Sequence, residues 1–270
     1  MIKQIFASVL MLVMCICCCG YVPLTSDTKY YCDTTYLETG SSDQTISSIS
    51  FDYDYYTLED VHLDMLCPIY RNLTQENSCA PFAGSVLVGY YDFYCPNLLP
   101  NYESFYYYNG YKFKPQNTQV IAMKEYLYEL MGTNSINPGT SVAQFKTGMT
   151  SFAQEKGYNI TFNSCGTINV TSVKSYLQQQ KPIVIFMNSY KYSPFNAITI
   201  GDISASMSIL ESNNGHVMTA YGYREYKYYQ DGVNFRTDRY LLVVFGDGTD
   251  GLIDITNTSR IDDSYAVTIY

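Results

Sequence analysis

Apolar residues recur at three- and four-residue spacing from Cys79 onward. Ala83, Val86, Leu87, Tyr90 and Tyr94 share a stripe with it, which predicts a helix ending before Pro96. Asn77 or Ser78 is placed to cap that helix, and Pro81 falls in its first turn, where a missing N–H is tolerated. The same period predicts a second helix over Thr118–Met131, with Val120, Met123, Leu127 and Leu130 on one face. A third spans Val142–Glu155, with Ser141 and Gln144 placed as a capping box. A fourth, Ser172–Gln180, is stopped by Pro182. Then the pattern changes. Pro182–Asn188 is a continuous apolar run and predicts a buried strand. His216–Tyr226, Tyr240–Phe245 and Tyr265–Tyr270 are rich in β-branched and aromatic residues, and Ile49–Tyr56 alternates, so all four predict strands. Gly201–Asn214 reads as a surface loop. Helices early and strands late predict an α+β domain with an antiparallel sheet.

The first segment stands apart from this pattern. Lys3 precedes Ile5–Val22, an uncharged apolar run that closes on Cys17, Cys18, Cys19 and Gly20. A basic start, an apolar stretch and small residues read as a secretory signal over residues 1–22. The expected location is therefore secreted or cell-surface. A membrane is involved only if this segment stays uncleaved or carries a lipid. Residues 23–60, rich in Thr, Ser, Tyr and Asp, read as a lead-in or propeptide, and 61–270 as the main domain.

Composition narrows the function. The chain has 270 residues, 47% hydrophobic and 15% charged, which excludes a disordered or coiled-coil protein. Its formal charge of -9 argues against nucleic acid as a partner, since duplex binding needs clustered cations. Two His, His62 and His216, leave little for a histidine metal site, so no metal and no cofactor are expected. Four of nine Cys fall in the signal. An exported chain keeps Cys32, Cys67, Cys79, Cys95 and Cys165, an odd set that leaves one thiol over.

Cys79 opens a predicted helix, where the dipole and unsatisfied N–H groups favour a thiolate nucleophile. A structural disulfide is the competing role. His216, in Asn214-Gly215-His216-Val217, begins a predicted strand, an edge that presents an imidazole to a cleft. His62, between Asp60 and Asp64, reads as structural. Asp247, in Phe245-Gly246-Asp247-Gly248, follows a strand and is placed to orient an imidazole. Asp-Gly is also a common turn.

Asn77-Ser78-Cys79-Ala80-Pro81-Phe82-Ala83-Gly84, leading to Gly89-Tyr90-Tyr91-Asp92, resembles the nucleophile helix of papain-fold cysteine peptidases. The branch it looks most like is that of the bacteriocin-leader (double-glycine) processing peptidases. Gly215-His216-Val217 with Tyr221-Gly222-Tyr223 resembles that branch's Gly-His strand, and Gly246-Asp247-Gly248 its acidic strand end. Lys181-Pro182-Ile183-Val184 resembles the strand entering the catalytic sheet, and the likeness runs from about Cys67 to the C-terminus. The resemblance implies a papain-like α+β fold, with a nucleophile helix and further helices packed on a C-terminal antiparallel sheet. It implies an exported peptidase acting on a peptide or protein substrate, with Cys79 as nucleophile, His216 as base and Asp247 orienting it. The oxyanion would be held by the Cys79 N–H and a side-chain amide, Asn72 in Pro68-Ile69-Tyr70-Arg71-Asn72 or Gln75 if the loop registers differently. The sequence departs from that pattern at Asn72, where the branch places Gln, and at Phe82, where it often has Thr. With Cys79 as the thiol left over, two disulfides could close among Cys32, Cys67, Cys95 and Cys165, in a pairing the sequence does not specify.

Two other functions use the same residues. A transglutaminase- or amidase-like enzyme would pass the acyl group to another acceptor. A Tyr-rich, acidic binding module would use the fold without catalysis. Asn72, Asn159, Asn169 and Asn257 each lie in Asn-x-Ser/Thr, the acceptor pattern for glycosylation in a eukaryotic secretory route.

Overall fold

A computed structural model of the chain describes residues 29–31, 44–65, 67–70, 75–100, 102, 106–108, 111–113, 117–246 and 248–270. The expected signal, residues 1–22, lies outside them. Among the described residues, no helix is long and apolar enough to cross a membrane. Four helices are described: α1 (Cys79–Tyr91), α2 (Thr118–Leu130), α3 (Val142–Glu155) and α4 (Val170–Gln178). They start and stop close to the predicted positions. Ser141 and Gln144 form the capping box at α3, and Asn117 and Asn169 cap α2 and α4 by accepting backbone N–H groups.

The strands carry most of the fold. β1 (Gln44–Asp52), β2 (Tyr55–His62), β5 (Ile160–Ser164), β6 (Ile183–Met187) and β7 (Tyr190–Pro194) join one 11-stranded sheet. So do β8 (Ile198–Ile200), β9 (Ser204–Ser212), β10 (His216–Gln230), β11 (Val233–Phe245), β12 (Thr249–Asp254) and β13 (Ile261–Ile269). The main path runs β1-β9-β7-β12-β11-β10-β6-β13-β5, with β2 added on β10 and β8 on β9, and these pairings are antiparallel. The short strands β3 (Tyr106–Tyr108) and β4 (Tyr111–Phe113) pair only with each other.

This corrects the expected fold class. Strand accounts for 42% and helix for 26%, so the molecule is a large antiparallel sheet with four described helices and not a papain-like, helix-rich α+β arrangement. The difference arises in two Ser-rich stretches. Gln44–Asp52 falls in the expected lead-in, and Ser204–Ser212 in the expected loop. They pair with each other along their full lengths, from Gln44 opposite Ser212 to Asp52 opposite Ser204. Ser204–Ser212 alternates serine with buried Ala205, Met207 and Ile209, so it is a strand whose partner lies more than 150 residues away.

β10 is the sheet's longest strand, and it changes neighbours midway. His216–Ala220 pairs with β6 and Gly222–Tyr229 with β2, while β11 flanks the other edge from Thr219 onward. A register shift at Tyr221 marks the changeover, and the Leu63 N–H donates to the Tyr221 carbonyl there. The β10–β11 hairpin turns on Asp231 and Gly232, whose φ angles of 51° and 74° give the left-handed pair that a tight hairpin requires.

All thirteen residues of α1 are buried, between β10 and the helices α2 and α3. Glycine makes this packing possible. A Cβ on Gly84 would lie 2.8 Å from Met149 Sδ, and one on Gly89 would lie 2.2 Å from the Tyr70 hydroxyl. Tyr70 and Tyr102 share a hydroxyl pair at 3.0 Å in this interior.

Candidate active site

Cys79 is the first residue of α1, and its side chain is fully buried. The chain enters the helix through Asn77, held at φ 59° with its amide donating to Asn134 Oδ1 at 2.8 Å. Ser78 occupies the N-cap position, and its hydroxyl turns back to donate to the Gln75 carbonyl at 2.9 Å. This tight entry directs the start of α1 into the protein. The aligned peptide dipoles therefore end at Cys79 in an apolar setting, where a developing thiolate gains most from them.

His216 is the first residue of β10 and is 1% exposed. Its ring lies 5.2 Å from Tyr190 and 5.7 Å from Phe245, and Tyr192 stacks on Phe245 at 4.0 Å. Strand alternation places Val217 and Thr219 on the α1 face of β10 and His216 with Met218 on the other. His216 is the strand's first residue, at the end of β10 nearest the start of α1.

The two elements are locked in register. The Thr219 hydroxyl donates to the Ala83 carbonyl at 2.9 Å, three residues into the strand and one turn into the helix. Farther along, the Tyr90 hydroxyl donates to the carbonyl of Gln180, just ahead of β6, which runs opposite β10 from Ile183–Ala220 to Met187–His216. Helix α1 and strand β10 therefore run the same way, with Cys79 and His216 at the same end.

Tyr31 lies between them. The Cys79 Sγ donates to the Tyr31 carbonyl at 3.9 Å. Gly215, next to His216, is also a neighbour of Tyr31: a Cβ there would meet Tyr31 Cδ1 at 3.4 Å, an ordinary contact. The Tyr31 N–H and carbonyl each bond Thr140 at 3.0 Å, and its ring meets Phe186 at 5.2 Å. Its hydroxyl donates to Asp262 Oδ2 at 3.2 Å. Burial and then the Asp262 charge hold this phenol well above the ordinary tyrosine value, so it remains a donor. Neither Tyr31 nor Thr140 was legible as part of the site. Tyr31 lies 48 residues from Cys79, and no local pattern links them.

The other expected residues divide. Gln75 is exposed at the bend before α1. Asn72 and Asp247 lie outside the described residues. Phe245, which touches His216, ends β11 immediately before Gly246. His62 is not on a loop. It lies in β2 opposite Gly222, with its Nδ1 2.8 Å from the Leu63 carbonyl.

Cys67, Cys95 and Cys165 are buried thiols, and no disulfide joins them. Cys32 lies outside the described residues, and with the other three as free thiols the expected two disulfides are not seen. The reason is placement within the fold: Cys95 Sγ donates to the Ile269 carbonyl and Cys165 Sγ to the Asn163 carbonyl, each at 3.8 Å. Burial pushes all three thiols up, which makes them poor nucleophiles.

No known protein family, curated protein sequence or solved structure matches this chain.

Proposed function

We propose that the chain is a thiol-dependent hydrolase of peptide bonds, with Cys79 as nucleophile and His216 as its base. The observation that supports this most is the shared end of α1 and β10, where Cys79 opens the helix and His216 opens the strand. Cys79 Sγ attacks the carbonyl carbon of the substrate as its proton passes to His216. Collapse of the tetrahedral intermediate breaks the C–N bond, and His216 returns that proton to the leaving amine. Water then attacks the thioester. His216 takes the water's proton, and the thiolate leaves. Asp247 fits the third role, holding the imidazole and balancing its cation. The Cys79 N–H with Asn72 or Gln75 fits the oxyanion. The protein substrate would be exported or extracellular, as the N-terminal segment suggests.

Peptide-library hydrolysis followed by mass spectrometry tests the reading. Activity should be blocked by iodoacetamide and lost in both Cys79→Ala and His216→Ala. Hydrolysis that persists in either variant contradicts it. Primary-amine adducts formed without free acid would assign acyl transfer instead.

A further inference from the structure

We infer that Lys29–Tyr31 occupies, in cis, the track on which a peptide substrate lies, so that the protein carries its own plug. The track accepts an extended peptide with a phenolic side chain beside the scissile carbonyl. This rests on the proposed function and adds to it a substrate class and a means of control.

Three features make the segment a peptide in a groove. Its backbone pairs antiparallel with Thr140, by two hydrogen bonds of 3.0 Å, as an extended ligand pairs with a free edge. Its carbonyl lies against the Cys79 thiol. Its side chain fills a formed pocket: Tyr31 is 3% exposed, its ring rests on Phe186, and its hydroxyl meets Asp262.

Asp262 is set up for this contact. It falls at the register shift between Ile261 and Asp263 in the β13–β6 pairing, where an extra residue turns its side chain off the regular ladder. It accepts Tyr31 Oη, Lys29 Nζ at 2.5 Å and Asn188 Nδ2 at 3.2 Å. Gly215 borders the segment, at ordinary contact distance from Tyr31.

The plug is also separable from the fold. Among the described residues the first strand is β1 from Gln44, and Lys29–Tyr31 is held by the Thr140 bridge, the Asp262 contacts, the Phe186 ring and the Cys79 thiol, outside the named strands. While it is seated, Cys79 and His216 are both buried, and a substrate carbonyl has no path to the thiol.

Iodoacetamide labelling of each cysteine in the folded chain, mapped by mass spectrometry, tests this. Tyr31→Ala should raise the Cys79 rate about tenfold or more, while Cys67, Cys95 and Cys165 stay slow. A synthetic 26–31 peptide amide should return Cys79 to slow labelling. Unchanged Cys79 labelling with the other thiols protected overturns the plug. If all four thiols label together, Tyr31→Ala has unfolded the chain, and Asp262→Asn decides. That variant removes only the outer anchor, so it should speed Cys79 alone by a few fold, and no change overturns the plug. Hydrolysis of a tyrosine-containing reporter separates the two ideas. Faster labelling without hydrolysis keeps the plug and defeats the peptidase reading. Equal hydrolysis by native and Tyr31→Ala protein defeats the plug alone.

Discussion

The two halves of β10 belong to one strand but solve different problems. The first half, His216–Ala220, lies between β6 and β11 under α1, and every one of its residues is buried. Its polar groups are few and tied individually, as Thr219 is to Ala83. The second half lies between β2 and β11 and is crowded with tyrosine. Tyr226 and Tyr228 stack, Tyr55 stacks on Tyr229 at 4.6 Å, and Arg236 covers Phe51. Its charges pair: Arg224 with Asp60, and the buried carboxylates Glu225 with Arg239 and Lys227 and Asp238 with Arg236. A polar group costs most in the first half, where His216 is held among aromatic rings. The second half gives stability through ring contact and screened ion pairs, and losses there are small.

This contrast orders the expected effects. His216→Ala should lower peptide hydrolysis by about 10³-fold or more, measured as kcat/KM, since a nucleophile without its base retains little catalysis. Arg224→Gln at the far end should leave kcat/KM unchanged. Next comes Gly89→Ala, whose Cβ would press on the Tyr70 hydroxyl at 2.2 Å, inside the near half's helix. It should destabilise by about 1–3 kcal/mol, read as a lowered denaturant midpoint. Thr219→Val keeps the shape but loses the bond to Ala83. It should cost about 1 kcal/mol in chemical denaturation, and it should also lower kcat, because this bond sets the helix against the strand. A far-half substitution of equal cost that lowered kcat as much would erase the distinction.

The smallest effects lie in the second half. Arg224→Gln should cost no more than about 1 kcal/mol, and less in high salt. Glu225 gives this region a pH signature. Burial alone would raise its carboxyl, but the bonds from Arg239, Lys227 and Tyr223 outweigh that and hold it below the ordinary glutamate value. A depressed folded value means stability that is present above the unfolded value and is lost as pH falls through the folded one. Acid titration of the thermal midpoint should therefore show a drop beginning near pH 4.5, and Glu225→Gln should flatten it. A pH response unaffected by that substitution would place the acid-sensitive group elsewhere.

What the sequence made legible was local. The capping box at Ser141, the apolar stripes of the helices and the continuous run Ile183–Met187 each carry their signal within a few residues, and each element formed. The ends of the site were also legible, since a cysteine opening a helix and a histidine opening a strand are local facts. The full sheet was not. β1 and β9 stabilise each other through pairing across more than 150 residues, which no local pattern contains. Tyr31 was illegible for the same reason. Its meaning comes from Thr140, Asp262 and Cys79, which only the folded chain brings around it. The expected disulfides failed because cysteine counting carries no positions. Cys95 and Cys165 turned out to lie against separate backbone carbonyls.

The central claim is that Cys79 and His216 act as a pair. It is tested most directly by the iodoacetamide rate of Cys79 at pH 6, compared between chains with and without His216→Ala in a Tyr31→Ala background. An ordinary thiol is almost wholly protonated at that pH, so rapid labelling needs a partner for its proton. The account predicts that removing His216 slows Cys79 by about tenfold or more, with the protein still folded. Equal rates in the two proteins would contradict it.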